Sequence, residues 1–185
     1  MGNEIHKLRQ ETKVFPERKD IFRCFRETNY KETNIIIWND KPYASELSDG
    51  LALSSKNDAI TPIELSNFLT EIENQIYDGL KLNYTNDLSY LSKQSVLLYN
   101  SNLTTSKIRN HTLEWEWFNY QFVNIVNNID WPIHVISVGE ISKSYTNLLN
   151  CSVQQIDDFK NAKNCFVNAN QFLKENYGPL IEIIW

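Results

Sequence analysis

Residues 34–55 read NIIIWNDKPYASELSDGLALSS. Ile35, Ile36, Ile37 and Trp38 in succession match a strand covered on both faces, because a strand with one wet face alternates apolar and polar side chains instead. The run stops at Asn39. Beyond it the chain is polar at Asp40 and Lys41, fixed in φ at Pro42 and aromatic at Tyr43. In an open sheet flanked by helices, ligands bind in the crevice past the carboxyl ends of the strands, so function is expected from Asn39 onward.

Two more apolar runs lie further along, Ser95 to Tyr99 ending at Asn100 and Ile133 to Val138 turned by Gly139, and Cys151 to Gln155 reads as a fourth, shorter strand. Helical spacing fills the gaps. Ile21, Phe22 and Phe25 recur at steps of three and four within Asp20 to Arg26, and Asn86 to Lys93 reads as a short helix. Thr61-Pro62-Ile63-Glu64 combines a threonine cap, a proline at the first helical position and a glutamate three on, opening a helix that carries Leu65, Phe68, Leu69, Ile72 and Ile76. Thr112 opens another through Trp115, Phe118, Phe122, Ile125, Val126 and Ile129, closed at Asp130-Trp131-Pro132. Glu140 to Leu149 and Cys165 to Tyr177 complete the set, with Gly178-Pro179 as the last stop. Both tryptophans of Trp115-Glu116-Trp117-Phe118 are expected in the core or at a helix interface.

Strands alternating with helices predict an α/β fold, a three-layer α/β/α arrangement on a four-stranded parallel sheet. The expected organisation is a polar N-terminal arm over residues 1–13 and a single domain over 14–185. With 185 residues, 42% of them hydrophobic, one sizeable core can form. The net charge of −5 removes the general basic field that draws many proteins to nucleic acid. The three cysteines are odd in number and lack CxxC spacing, and His6, His111 and His134 are scattered, so neither a disulfide framework, a metal site nor a cofactor is expected. The N-terminal residues contain no apolar leader and no stretch approaches a membrane span, which predicts a soluble intracellular protein, in the cytoplasm or with the nucleoid or nucleus, and no membrane partner.

The opening stretch resembles the signature of the uracil-specific uracil-DNA glycosylases, in which a hydrophobic strand runs into GQDPYH and then into GLAFS. Here the strand runs without a gap into NDKPYA at 39–44 and, one residue early, into GLALS at 50–54. DIFRCF at 20–25 matches the family's D-I/V-F-x-A-F helix, and SVLLYNSNLTT at 95–105 matches its GVLLLN followed by T-L-T. His111 and Trp115 echo an H-x-x-x-G-W segment, with Glu114 in place of the glycine. The resemblance runs from about Phe15 to Trp185 and implies the uracil-DNA glycosylase fold.

It also implies site residues. Tyr43 falls on the tyrosine whose ring blocks the methyl group of thymine, Leu53 on the phenylalanine that stacks on the flipped base, and Asn100 on the asparagine that hydrogen-bonds the base edge. Each has a plainer reading, as a packing aromatic, a core residue and a turn cap respectively. The family's catalytic aspartate falls on Lys41, with Asp40 one residue away as the fallback carboxylate. A cation there would oppose the positive charge that develops on the sugar, although a solvated loop lysine is the plain alternative. No histidine lies between Gly139 and Phe166 to match the donor of the family's HPSPLS loop, and the wedge loop is replaced by CSVQQIDDFKNAKN with Asp157 and Asp158 together.

These losses imply a glycosylase-fold protein that has lost its chemistry and acts by binding. Its expected partners are single-stranded or uracil-containing DNA, or a protein of replication, transcription or repair, a role that fits a viral accessory protein. The alternative is an active DNA glycosylase that releases uracil or a modified base, with Lys41 as an amine nucleophile or Asp40 in place of the aspartate.

Overall fold

Each of the long apolar runs becomes a strand, and their common direction follows from the helices between them. In the computed structural model, which describes residues 2–185, β1 (Val14–Phe15) precedes β2 (Ile35–Asn39), β3 (Val96–Asn100), β4 (Thr105–Ser106), β5 (His134–Val138) and β6 (Ser152–Ile156). The helices are α1 (Gly2–Glu11), α2 (Arg23–Glu27), α3 (Ile63–Ile76), α4 (Ser89–Ser92), α5 (Thr112–Asn127), α6 (Glu140–Thr146) and α7 (Cys165–Tyr177). The main sheet has the order β3-β2-β5-β6 with every pairing parallel. Register aligns Asn39 with Asn100 on one side and with Val138 on the other, so the polar strand ends lie side by side.

The apolar strands are covered on both sides. One aromatic cluster joins Trp38, Tyr99 and Phe122, with ring centroids 5.0 Å apart for Trp38 and Tyr99 and 4.3 Å for Tyr99 and Phe122. Trp38 keeps its indole N–H satisfied by donating to Ser101 Oγ at 2.8 Å. A second cluster joins Phe68 of α3, Phe166 of α7 and Trp185, with centroids 5.3 Å and 4.7 Å apart in sequence. Emptying either cluster by a change to alanine is expected to cost about 3–5 kcal/mol per ring.

Several local expectations shift. The helix expected from Asp20 starts at Arg23, and Phe22 at its edge is 41% exposed while Cys24 is fully buried. Thr61 does not cap α3: its hydroxyl donates to Asn86 Oδ1 at 3.0 Å, and Pro62 takes the position before the first turn. Of the two tryptophans on α5, Trp115 is buried and Trp117 is 65% exposed, as residues two apart on a helix cannot face the same way. The polar N-terminal residues form α1, and Arg9 ties it down by donating to the carbonyls of Val14 and Pro16 at 3.0 and 2.7 Å. Met1 lies outside the described residues. The two-residue ladder of β1 against β4 is too short for any periodicity to announce. Among the described residues no helix is long and apolar enough to cross a membrane, and no cluster of His, Cys, Asp and Glu could hold a metal ion.

Candidate active site

The carboxyl ends of β2 and β5 open into a cleft of about 500 Å³, within the range usual for small-molecule sites. The loop after β2 supplies one wall from Asn39 to Ser45, α3 contributes Glu64 and Asn67, and Asp157 to Phe159 after β6 close the far side.

Asp40 and Lys41 part company at this point. The Asp40 carboxylate is held in the cleft wall against Gly139, and its Oδ1 accepts the backbone N–H of Ser142 at 2.8 Å. Gly139 has φ of 93°, and a Cβ on it would stand 2.5 Å from the Asp40 carboxyl carbon, so only glycine leaves the carboxylate this position. Lys41 is exposed and reaches away across the rim to donate to Asn110 Oδ1 at 3.1 Å. Consecutive residues of an extended loop point in opposite directions, and contact with a segment about a hundred residues later decides which one turns inward.

Tyr43 and Leu53 adjoin in the wall of the cleft. The Tyr43 hydroxyl donates to the Leu53 carbonyl, and burial, followed by the nearby carboxylates of Glu64 and Asp49, lifts the phenol above its ordinary range and keeps it a neutral donor. Leu53 adopts φ of 64°, a conformation that costs a bulky residue energy and is tolerated where surrounding contacts over-determine it. Those contacts come from Asp49, which accepts Ser54 Oγ at 2.6 Å, Leu51 N at 3.0 Å and Arg23 Nη1 at 2.8 Å. Burial raises the Asp49 carboxyl and the Arg23 guanidinium opposes that rise.

Asn100 does not line the cleft. It is buried behind Asn39, whose Nδ2 donates both to Asn100 Oδ1 at 2.9 Å and to the Lys41 carbonyl at 2.9 Å. The Asn100 oxygen is thus occupied within the protein, and its amide nitrogen is the end left for a ligand acceptor. His111 lies before α5 with Nδ1 at 2.9 Å from Thr104 Oγ1, and burial lowers its basicity. Asp157 pairs with Lys143, and Asp158 Oδ1 accepts the Lys160 N–H at 2.9 Å. Sequence reasoning marked Asn39 only as the strand end from which function is expected and did not single out Ser142; Gly139, expected as a turn, was the one signal that the chain comes close there.

Carboxylates outnumber cations in this cleft: Asp40, Glu64, Asp157 and Asp158 against Lys41. Such a field stabilises a positive charge developing inside it and disfavours phosphate groups at its mouth.

The fold, with a substrate-sized cleft past β2, is that of a uracil-DNA glycosylase: the chain superposes on the crystal structure of mimivirus uracil-DNA glycosylase with a TM-score of 0.83 at 15% identity, over 94% of this chain and 76% of that one. In sequence, the Mesomycoplasma hyopneumoniae protein named uracil-DNA glycosylase is 31% identical over 187 residues, covering 93% of this chain and 83% of its own length. A protein of the same name from Buchnera aphidicola is 29% identical over 183 residues, covering 94% and 80%. The chain belongs to the uracil-DNA glycosylase family. No family model matches it.

Proposed function

We propose that this protein is an active DNA glycosylase releasing uracil or a closely similar base, with Asp40 in the role that the resemblance would give to residue 41. The observation that carries the reading is the Asp40 carboxylate fixed in the cleft wall by Ser142 N–H while Lys41 is directed to Asn110. The names of its relatives support the same activity.

In this reading the flipped nucleotide enters with its base against the wall that Tyr43 and Leu53 form. The bond from C1′ of the sugar to N1 of the base breaks, its electron pair leaves with the base, and an oxocarbenium ion forms on the sugar. Asp40 lies across from that charge, stabilises it, and takes a proton from the water that attacks C1′.

The test is single-turnover release of uracil from an oligonucleotide, scored by strand breakage in alkali. Asp40→Asn is expected to slow release by about a hundredfold to a thousandfold, while Lys41→Ala leaves it within about threefold. If Lys41→Ala abolishes release and borohydride traps a covalent adduct in the parent protein, the lysine is the nucleophile and Asp40 is not the reacting group.

A second reading, binding of DNA or of a replication, transcription or repair protein without chemistry, is favoured by two observations. The Asn100 oxygen is engaged by Asn39, and no histidine follows β6. Tight binding of uracil-containing oligonucleotide with no base release would establish it.

A further inference from the structure

A second opening, away from the cleft, is built on a different chemistry. Ile5 and Arg9 stand one turn apart on α1, so they share a face. Arg18 begins a short 3-10 turn, Arg18–Asp20, that delivers Ile21 and Phe22 to the start of α2. With His6 and with Trp115 of α5, these side chains line a cavity of about 390 Å³ that shares no residue with the cleft. Its volume is within the range usual for small-molecule sites.

The floor of this cavity is apolar. Ile5, Ile21 and Trp115 are buried, and Phe22 meets Trp115 edge-on, with ring centroids 6.0 Å apart and planes at 80°. Phe22 is only half-buried, so it keeps ring surface on which a planar group can stack.

The rim is cationic. Arg9 and Arg18 both line it, and no carboxylate is among the lining residues, in a chain whose net charge is −5. The bonds from Arg9 to the Val14 and Pro16 carbonyls fix its guanidinium in place, and its Nε is buried without a partner. Arg18 is exposed and makes no hydrogen bond or ion pair among the described residues. Other arginines are spent on carboxylates, Arg23 on Asp49 and Arg109 on Glu114. Burial, and after it the charge of Arg18, lowers the pKa of Arg9 below its ordinary value, so the two cations repel one another. An anion between them removes that repulsion and meets the free donor fork of Arg18.

The two positive charges select among anions. A carboxylate answers one of them, whereas a phosphate monoester carries about −1.5 to −2 at neutral pH and answers both. We infer that this cavity binds a small phosphate monoester carried on a planar ring, the chemistry of a nucleoside monophosphate, with the ring on Phe22 and the phosphate between Arg9 and Arg18. Binding there requires no chemistry in the cleft.

Calorimetric titration of the full chain with phenyl phosphate at about pH 7 is the test. The parent protein is expected to bind phenyl phosphate saturably and uridine 5′-monophosphate at least as tightly, with inorganic phosphate and benzoate each about tenfold weaker. Arg18→Gln, which removes a side chain bonded to nothing else and so is expected to fold, should weaken phenyl phosphate about tenfold or more. Phe22→Leu keeps the floor apolar but removes the ring face, and should weaken it about tenfold. Asp40→Asn should leave binding unchanged. Absence of saturable binding to the parent protein overturns the inference, as does undiminished binding to Arg18→Gln. Inorganic phosphate held as tightly as phenyl phosphate overturns the stacking on Phe22, and benzoate held as tightly overturns the selection of a dianion. Weaker binding by Asp40→Asn moves the ligand to the cleft, and a response to 5′-phosphorylated oligonucleotide alone assigns the two arginines to a nucleic-acid end; either result overturns the small-molecule site.

Discussion

Asp40 and Gly139 are interlocked, the carboxyl carbon of one lying where a Cβ of the other would be, 2.5 Å away. The first prediction follows from that contact. Gly139→Ala is expected to evict the Asp40 carboxylate and break its bond to Ser142 N–H. The left-handed φ of 93° adds strain, so the variant should be less stable by about 1–2 kcal/mol and should lose base release to about the level of Asp40→Asn. Thermal unfolding and single-turnover release on one preparation check both parts. A variant that keeps full release shows that the Asp40 carboxylate is not needed where Gly139 allows it to sit.

Tyr43 can be divided into its ring and its hydroxyl. Tyr43→Phe removes one part-buried hydrogen bond to the Leu53 carbonyl, worth about 1 kcal/mol, and leaves the wall of the cleft in place. Discrimination between bases should therefore be unchanged. Tyr43→Ala removes the wall, and release of thymine from an oligonucleotide should become measurable where the parent protein gives none. Competition between uracil- and thymine-containing strands is the readout.

Arg23 ties together three carboxylates, donating to Glu27 and Asp49 at 2.5 and 2.8 Å and to Asp87 at 3.1 Å. The Asp49 side chain is only 3% exposed, so removing its partner strands a charge in the interior. Arg23→Met is expected to destabilise the fold by about 3 kcal/mol, as for other broken buried pairs. Adding Asp49→Asn should restore part of that loss, because the orphaned charge goes with it. Urea midpoints of the single and double variants test the coupling.

The fold was readable wherever a periodicity ran long enough. Ile35–Trp38 became the fully covered centre of the sheet, and α7 has the expected bounds, with Gly178-Pro179 stopping it. The crevice past β2 was legible for the same reason, since strand ends set its place. Its lining was not. Whether Asp40 or Lys41 turns inward depends on Gly139 and Ser142, which reach the loop only after the sheet has formed. The withdrawal of Asn100 behind Asn39 depends on the register of β2 against β3, which no local pattern fixes.

His134 sets the acid limit of the fold. It lies on β5 with Nδ1 at 2.8 Å from Ser152 Oγ, its Nε2 is buried without a partner, and its ring rests on Phe172 at 5.4 Å between centroids. Burial pushes its pKa down to about 4, against about 6.5 for a free histidine. The native ring therefore stays neutral in a range where the unfolded chain binds a proton. The stabilising contribution is present above pH of about 6.5, shrinks as the pH falls, and is gone by about pH 4, a total of about 3 kcal/mol. Carboxylates act lower: Glu73, held down by its bond to Lys81, loses its contribution only as the pH falls below about 4.5. Unfolding by urea at about pH 7 and about pH 5 thus reads the histidines whose basicity burial lowers, His134 and His111, and comparison of the parent protein with His134→Leu isolates the first. His134 should weaken the parent protein at the lower pH by about 2 kcal/mol, and His134→Leu should lose that share of the pH dependence while keeping the part that belongs to His111. The Ser152 partner is exposed and can turn to water, so the variant is expected to fold. An equal pH dependence in the two proteins would mean that His134 is charged in the native state, and that its Nε2 has found an acceptor.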